Sequence, residues 1–269
     1  MLESFYQLVE KHVGLQLDDS KLYLVESRLS GMAHKMGFSS VQEFTRHLTS
    51  SPVSESHLSA FEALMTNETS FYRDRAVFDA LSAHIIPALI EKRRNEKALR
   101  INCLAASTGQ EVYSLCILLR ERFPELSQWR LYIQASDFSM NALDYAKQGI
   151  YNQREIERGL PEAALNRYFT KTPSGCWEIS PVIRRQVSFF RHNLLDACPS
   201  YPKFDLIMLR NVLIYFRQEV KNKILTQIHR CIQPDGGVLM LGSTESIHSN
   251  PLYELVPLGR VSYYTPINS

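Results

Sequence analysis

The chain has 269 residues, 45% of them hydrophobic, with 30 Lys and Arg against 28 Asp and Glu. That length supports one large domain or two smaller ones with a substantial core, and a formal net charge of +2 gives no basic excess to draw the chain to nucleic acid or a membrane surface. No apolar run approaches the ~18 residues of a membrane span, the five cysteines form no C-x-x-C pair and suit reduced thiols in a cytoplasmic protein, and the eight histidines show no metal-ligand spacing.

Leu2, Phe5, Tyr6, Val9 and Val13 recur at helical spacing around Glu3 and Glu10, which predicts a helix over 2–13 and argues against a signal peptide. Three more amphipathic helices are expected at 19–36, 40–49 and 54–65. Asp18 and Asp19 suit the start of the second and Gly37 its end, while Ser39 and Ser40 suit the start of the third. Lys21, Arg28 and Lys35 are spaced by seven, so they form one basic stripe about 21 Å long that drifts only ~20° per step. Residues 1–75 nevertheless hold seven Lys and Arg against ten Asp and Glu, so a nonspecific polyanion site does not fit. The stripe is either a solvated face or a track for a partner helix that carries carboxylates. Residues 1–75 are read as an N-terminal helical domain.

From 76 to 269 strand and helix signals alternate, the mark of a doubly wound, mostly parallel α/β sheet. The apolar segment from Leu99 runs into Ala105-Ala106-Ser107-Thr108-Gly109, and a helix follows with Val112, Leu115, Cys116 and Leu119 on one face. Small residues at such a turn let the backbone approach a ligand, and the new helix offers free N–H groups. Neither G-x-x-x-x-G-K-[ST] nor G-x-G-x-x-G occurs, which disfavours a phosphate-bearing cofactor and leaves a nucleoside without phosphates. The next strand ends at Asp137, whose two oxygens suit two ribose hydroxyls, and Glu111 offers a second carboxylate.

Between 170 and 192 the alternation breaks. Trp177-Glu-Ile179 and Arg185 to Phe190 are expected as short antiparallel strands of a small β insertion, with Pro173-Ser-Gly175 and Ser180-Pro181 as turns. Leu206 to Leu209 is an unalternating apolar run, as in a strand covered on both faces, and it stops at Arg210-Asn211 with Tyr215 beyond. Ligands of open α/β sheets bind outside such strand ends.

Thr66-Asn-Glu-Thr-Ser-Phe-Tyr-Arg-Asp74, Ala106-Ser-Thr-Gly-Gln-Glu-Val-Tyr-Ser114, Ala135-Ser-Asp137, Asn193-Leu194, Arg210-Asn-Val-Leu-Ile-Tyr-Phe216 and Gly242-Ser-Thr-Glu245 resemble, in order along nearly the whole chain, the chemotaxis-receptor methyltransferases of the CheR family. The first and fifth blocks are specific; the others are weak alone. The resemblance implies a Rossmann-like class I methyltransferase fold with S-adenosylmethionine as donor and S-adenosylhomocysteine as product. The acceptors it implies are glutamate carboxylates on cytoplasmic helices of chemoreceptors. It implies cofactor contacts from Asn67, Thr69, Arg73, Ala106, Gly109, Glu111, Asp137, Asn193, Leu194, Arg210 and Asn211, and it sets Arg73 and Tyr215 beside the acceptor carboxylate. It favours receptor docking as the role of Lys21, Arg28 and Lys35, with no metal, and a monomer is expected.

Three positions depart from the family pattern: Val112 where proline is usual, Ser139 where a second acid is common, and Leu209 where cysteine is frequent. Ser139 is expected to loosen the grip on the adenosine side. In some family members the small β unit captures a tethering peptide, and no composition cue here demands such a groove. No Asn/Asp-Pro-Pro-aromatic block stands at the strand end, which favours an anionic oxygen over an amide or amine acceptor. Two alternatives stay open: a methyltransferase of this fold acting on a small-molecule acid, and a non-catalytic module that senses S-adenosylmethionine.

Overall fold

The computed structural model describes residues 2–197, 203–247 and 250–267. The chain forms two compact units, one of residues 1–66 with 215–223 and the other of residues 67–214 with 224–269. Each is described by itself.

In the first unit the expected helices span Glu3–Val13, Leu22–Lys35, Val41–Ser50 and Glu55–Leu64, the second preceded by a 3-10 turn at Asp19–Lys21. Local chemistry sets their starts. The Asp18 side chain accepts the Ser20 N–H at 2.9 Å, the Ser40 hydroxyl accepts the Glu43 N–H at 3.1 Å, and the Glu43 carboxylate accepts the Ser39 N–H at 2.9 Å. Phe5, Val9, Val25, Leu29, Phe44, Leu48 and Phe61 are fully buried in this unit. Residues 215–223 belong here through Arg217, which pairs with Glu10 at 2.9 Å, and through Phe216, which bridges to Leu15. Gly14, at φ 74°, has no room for a side chain, because a Cβ would lie 3.0 Å from the Phe216 ring.

The division falls at 66/67, ahead of the boundary at 75 read from the sequence. Arg28 explains one side of it, donating to the carbonyls of Leu64 and Met65 at 2.6 and 2.8 Å and so fastening the end of the fourth helix. Phe71, Val77 and Phe78 explain the other, since all three are buried in the core of the second unit.

Ten strands build the second unit: β1 (Ala98–Leu104), β2 (Arg130–Asp137), β3 (Ile150–Tyr151), β4 (Phe169–Lys171), β5 (Trp177–Ile179), β6 (Val187–Arg191), β7 (Leu206–Leu209), β8 (Val238–Leu241), β9 (Tyr253–Leu258) and β10 (Val261–Pro266). Seven form one sheet in the order β6-β2-β1-β7-β8-β10-β9. Five of these are parallel, and β10 and β9 are added antiparallel. Every residue of β7 and β8 is buried, as the unalternating apolar runs require of strands covered on both faces. From β1 the chain steps outward to β2 and β6, then returns to β7 and β8 on the other side. This makes the β1/β7 junction the switch point where ligands of such sheets bind.

A small antiparallel sheet, β3-β5-β4, stands apart from the main one. The β insertion therefore exists, but one of its expected strands does not belong to it. The segment read as antiparallel over Arg185 to Phe190 is β6, which pairs parallel to β2 from Ile133↔Val187 to Asp137↔Arg191. As an edge strand it lacks the unbroken burial of β7 and β8, running buried, exposed, half-buried, half-buried, exposed from Val187 to Arg191, so its sequence does not announce a parallel strand.

Candidate functional site

The loop after β1 is bent by three left-handed residues, Ala105 at φ 54°, Ser107 at φ 51° and Gly109 at φ 91°. Two of the three carry side chains, a conformation that persists only when the surroundings enforce it. The enforcing bonds are explicit. Ala106 N–H donates to the Ser136 carbonyl at 2.9 Å, Ser107 N–H to the Asp137 carboxylate at 2.8 Å, and the Ser107 hydroxyl to the Asn67 carbonyl at 2.8 Å. From the β3 side the Tyr151 hydroxyl donates to the Thr108 carbonyl at 2.8 Å. Gly109 is required twice over, by its φ and by crowding, since a Cβ there would lie 2.9 Å from that of Ala146.

Asp137 is buried, and its second oxygen accepts the Ser139 N–H at 2.9 Å. The acid expected to meet a ribose thus also ties the end of β1 to the end of β2. Ser139 caps the helix Met140–Gln148 by accepting the Ala142 N–H at 3.1 Å. Beyond β6, His192 N–H donates to the Asp137 carbonyl at 3.0 Å, and Asn193 and Leu194 follow in a turn in which the Asn193 side chain accepts the Leu195 N–H at 3.1 Å. Ala106, Gly109, Asp137, Asn193 and Asn67 are therefore joined at the carboxyl ends of β1, β2 and β6.

Arg210 leaves β7 with a side chain that is 0% exposed. Its guanidinium bonds Glu111 at 2.5 Å, Asp74 at 2.8 Å and the Arg73 carbonyl at 2.9 Å, and lies 5.9 Å from the centre of the Phe78 ring. Glu111 and Arg210, both expected to face the cofactor, are thus bonded to each other. No pattern in the sequence reports this bond, because no spacing rule links residues 99 positions apart. The Arg210 Nε–H is buried without a partner.

The segment carrying Thr69 and Arg73 is strained as well, with Tyr72 at φ 48° and Asp74 at φ 58°. Tyr72 N–H donates to the Ser114 hydroxyl at 3.0 Å, and the Arg73 guanidinium, half-buried, donates to the Glu68 carbonyl at 2.8 Å. Glu68 in turn pairs with Arg158. Asn211, at φ 58°, begins a turn whose N–H groups are gathered by Glu245. Glu245 lies in the block Gly242-Ser-Thr-Glu245, and no motif or spacing points to this role.

Tyr215 ends the 3-10 turn Leu213–Tyr215 and belongs to the first unit, where its carbonyl accepts the Gln16 N–H at 3.2 Å. Of the basic stripe, Arg28 is spent on the carbonyls of Leu64 and Met65, Lys21 donates to the Gln16 carbonyl at 2.6 Å, and Lys35 is exposed.

The residues present fit the nucleoside-bearing cofactor that the sequence suggested. A loop opened by left-handed residues stands at the switch point, next to a buried guanidinium with one unanswered N–H. Among the described residues no cluster of His, Cys, Asp and Glu could hold a metal ion, and no helix is long and apolar enough to cross a membrane.

Comparison with known proteins agrees with this geometry. The family model described as the S-adenosylmethionine-binding domain of CheR methyltransferases matches residues 67–259, and that of the all-alpha CheR domain matches residues 1–66. The chain is 37% identical to the chemotaxis protein methyltransferase Cher2 of Pseudomonas putida over 93% of its own length and 91% of that protein. It is 38% identical, with the same coverage, to chemotaxis protein methyltransferase 1 of Pseudomonas aeruginosa. Identity to the chemotaxis protein methyltransferase of Vibrio parahaemolyticus is 35% over 90% of this chain and 88% of that one.

Proposed function

Since the chain belongs to the CheR methyltransferase family and carries its S-adenosylmethionine-binding domain, we propose that this chemotaxis methyltransferase esterifies glutamate carboxylates on the cytoplasmic helices of chemoreceptors. The cofactor supplies an activated methyl group on a sulfonium, a leaving group that needs no protonation. A glutamate side chain, with an ordinary pKa near 4.3, is already a carboxylate at neutral pH. What the protein must add is alignment of oxygen, methyl carbon and sulfur, an orientation task worth several kcal/mol.

The observation that carries this reading is that the carboxylates around the strand ends are already engaged. Glu111 and Asp74 hold Arg210, Asp137 holds two backbone N–H groups, and Glu245 holds four. None stands ready to take a proton from an amine or alcohol, so an acceptor that arrives deprotonated suits the site. In this proposal Asn67, Thr69, Ala106, Gly109, Asp137, Asn193, Leu194 and Asn211 line the cofactor, while Arg210 and Glu111 shape its floor as a buried pair. Arg73 steadies one acceptor oxygen through its planar guanidinium, and the Tyr215 hydroxyl steadies the other. Positioning contacts suffice, since a tight hold on both oxygens would weaken the nucleophile. Lys21 and Lys35 remain as the docking cations of the helical unit, and the protein works as a cytoplasmic monomer.

Transfer of radiolabel from S-adenosylmethionine to a panel of receptor cytoplasmic fragments tests the proposal. Base-labile label on glutamates is expected. Label on small acids alone would replace the acceptor class, and tight cofactor binding with no transfer to any acceptor would favour a sensory module.

A further inference from the structure

Glu245 fills a concavity of backbone N–H groups, the kind of site that binds an anion. One of its oxygens accepts the N–H groups of Val212 and Leu213 at 2.9 and 2.7 Å; the other accepts those of Asn211 and Gly242 at 2.6 and 2.8 Å. The donors come from two loops, one after β7 and one after β8, set side by side by the pairing of Leu209 with Leu241. Four orphan donors at two strand ends are answered by one carboxylate from the chain itself. The fit is close. A Cβ on Gly242 would lie 2.7 Å from the Asn211 side-chain nitrogen and 2.7 Å from a Glu245 oxygen.

We propose that Glu245 is a positioning residue for methyl transfer: its carboxylate clamps the Asn211–Leu213 turn in the left-handed path that presents Asn211 to the cofactor. The inference rests on Asn211 being a cofactor residue, as proposed above. A free turn would visit the left-handed conformation of Asn211 only part of the time, so the clamp raises the fraction of molecules ready to bind. It requires both oxygens. A glutamine has one acceptor oxygen and would turn an NH2 toward two of the four N–H donors, whereas an aspartate keeps both acceptors on a shorter arm.

The test is S-adenosylhomocysteine affinity by calorimetry for Glu245→Gln, Glu245→Asp, Asn211→Ala and the Glu245→Gln/Asn211→Ala double variant, with melting followed in parallel. Glu245→Gln is expected to weaken binding about 10-fold, the scale of one well-made hydrogen bond to a charged group, and Glu245→Asp is expected to restore part of that. The double variant should bind no more weakly than Asn211→Ala alone, because Glu245 acts through Asn211. Wild-type affinity in Glu245→Gln, or additive losses in the double variant, overturns the positioning role while leaving Asn211 in the site. Wild-type affinity in Asn211→Ala instead removes Asn211 from the site, and the proposal with it. If Glu245→Gln fails to fold, Gly242→Ala displaces the same Asn211 side chain and is read by the same criteria.

Discussion

Single side chains in this protein carry more than one duty, and that decides which substitutions are informative. Asp137 ties the Ser107 and Ser139 N–H groups as well as facing the proposed ribose position. Asp137→Ala should therefore weaken S-adenosylhomocysteine binding by about 1.5–3 kcal/mol and also loosen the β1 loop. Unchanged affinity by calorimetry would leave Asp137 as a brace alone. Tyr215 is a cleaner probe, because its hydroxyl can be removed without disturbing the carbonyl that receives Gln16. Tyr215→Phe should lower kcat by roughly 10- to 100-fold with cofactor affinity intact, the scale of one or two positioning hydrogen bonds. Arg73→Ala should cost more, and Arg73→Lys should restore little, since an ammonium cannot reproduce the planar fork. If either variant lost activity only in step with its melting temperature, that side chain would be a packing residue and no part of the chemistry.

At the scale of elements, the strand-to-helix turns were legible and the bonds that set their shape were not. The unalternating run Leu206 to Leu209 announces a strand buried on both faces, and the small residues from Ala105 to Gly109 announce a close turn. Both follow from local rules. By contrast, β6 lacks the continuous apolar run of an inner parallel strand, and only its pairing with β2 separates it from a hairpin strand. Residues 215–223 join the helical unit through Glu10 and Leu15, contacts that no periodicity can report. The Arg210 cluster is hidden in the same way, and it has an energetic consequence. Replacing Arg210 by Met strands Glu111 and Asp74 without their cation, and breaking a buried pair from one side typically costs about 3–5 kcal/mol. Denaturant unfolding of Arg210→Met should show a loss on that scale with an unchanged m-value, and a loss below about 1 kcal/mol would mean that the two acids find water instead.

For the whole molecule, the responses to salt and to pH arise from different groups. Within the basic stripe the free cations reduce to Lys35 and, in part, Lys21, because Arg28 fastens the end of the fourth helix. Reversal of Lys21 and Lys35 to Glu should lower kcat/KM for receptor fragments and leave cofactor affinity unchanged. The effect should fade as salt rises, since exposed charges more than about 8–10 Å apart are screened at physiological ionic strength; equal activity at low salt would leave the stripe as a solvated face. The pH response has a different origin, in one histidine of each unit. Burial holds the pKa of His192 below its ordinary 6.5, and burial together with the neighbouring Lys11 does the same for His12. A lowered folded-state pKa means that the unfolded chain takes up protons first as pH falls below about 6.5. The stability present at neutral pH is therefore lost on acidification through that window, and no loss from these groups is expected between pH 7 and 8. Melting temperatures at pH 7.5 and 5.5 should differ less in the His12→Gln/His192→Gln variant than in the parent. Turnover is the complementary measurement: with an acceptor that is already a carboxylate, His192→Gln should leave the pH profile of kcat/KM unchanged from pH 6.5 to 8. A profile that lost an acid limb on removal of His192 would make that histidine a general base and point to an acceptor that must give up a proton.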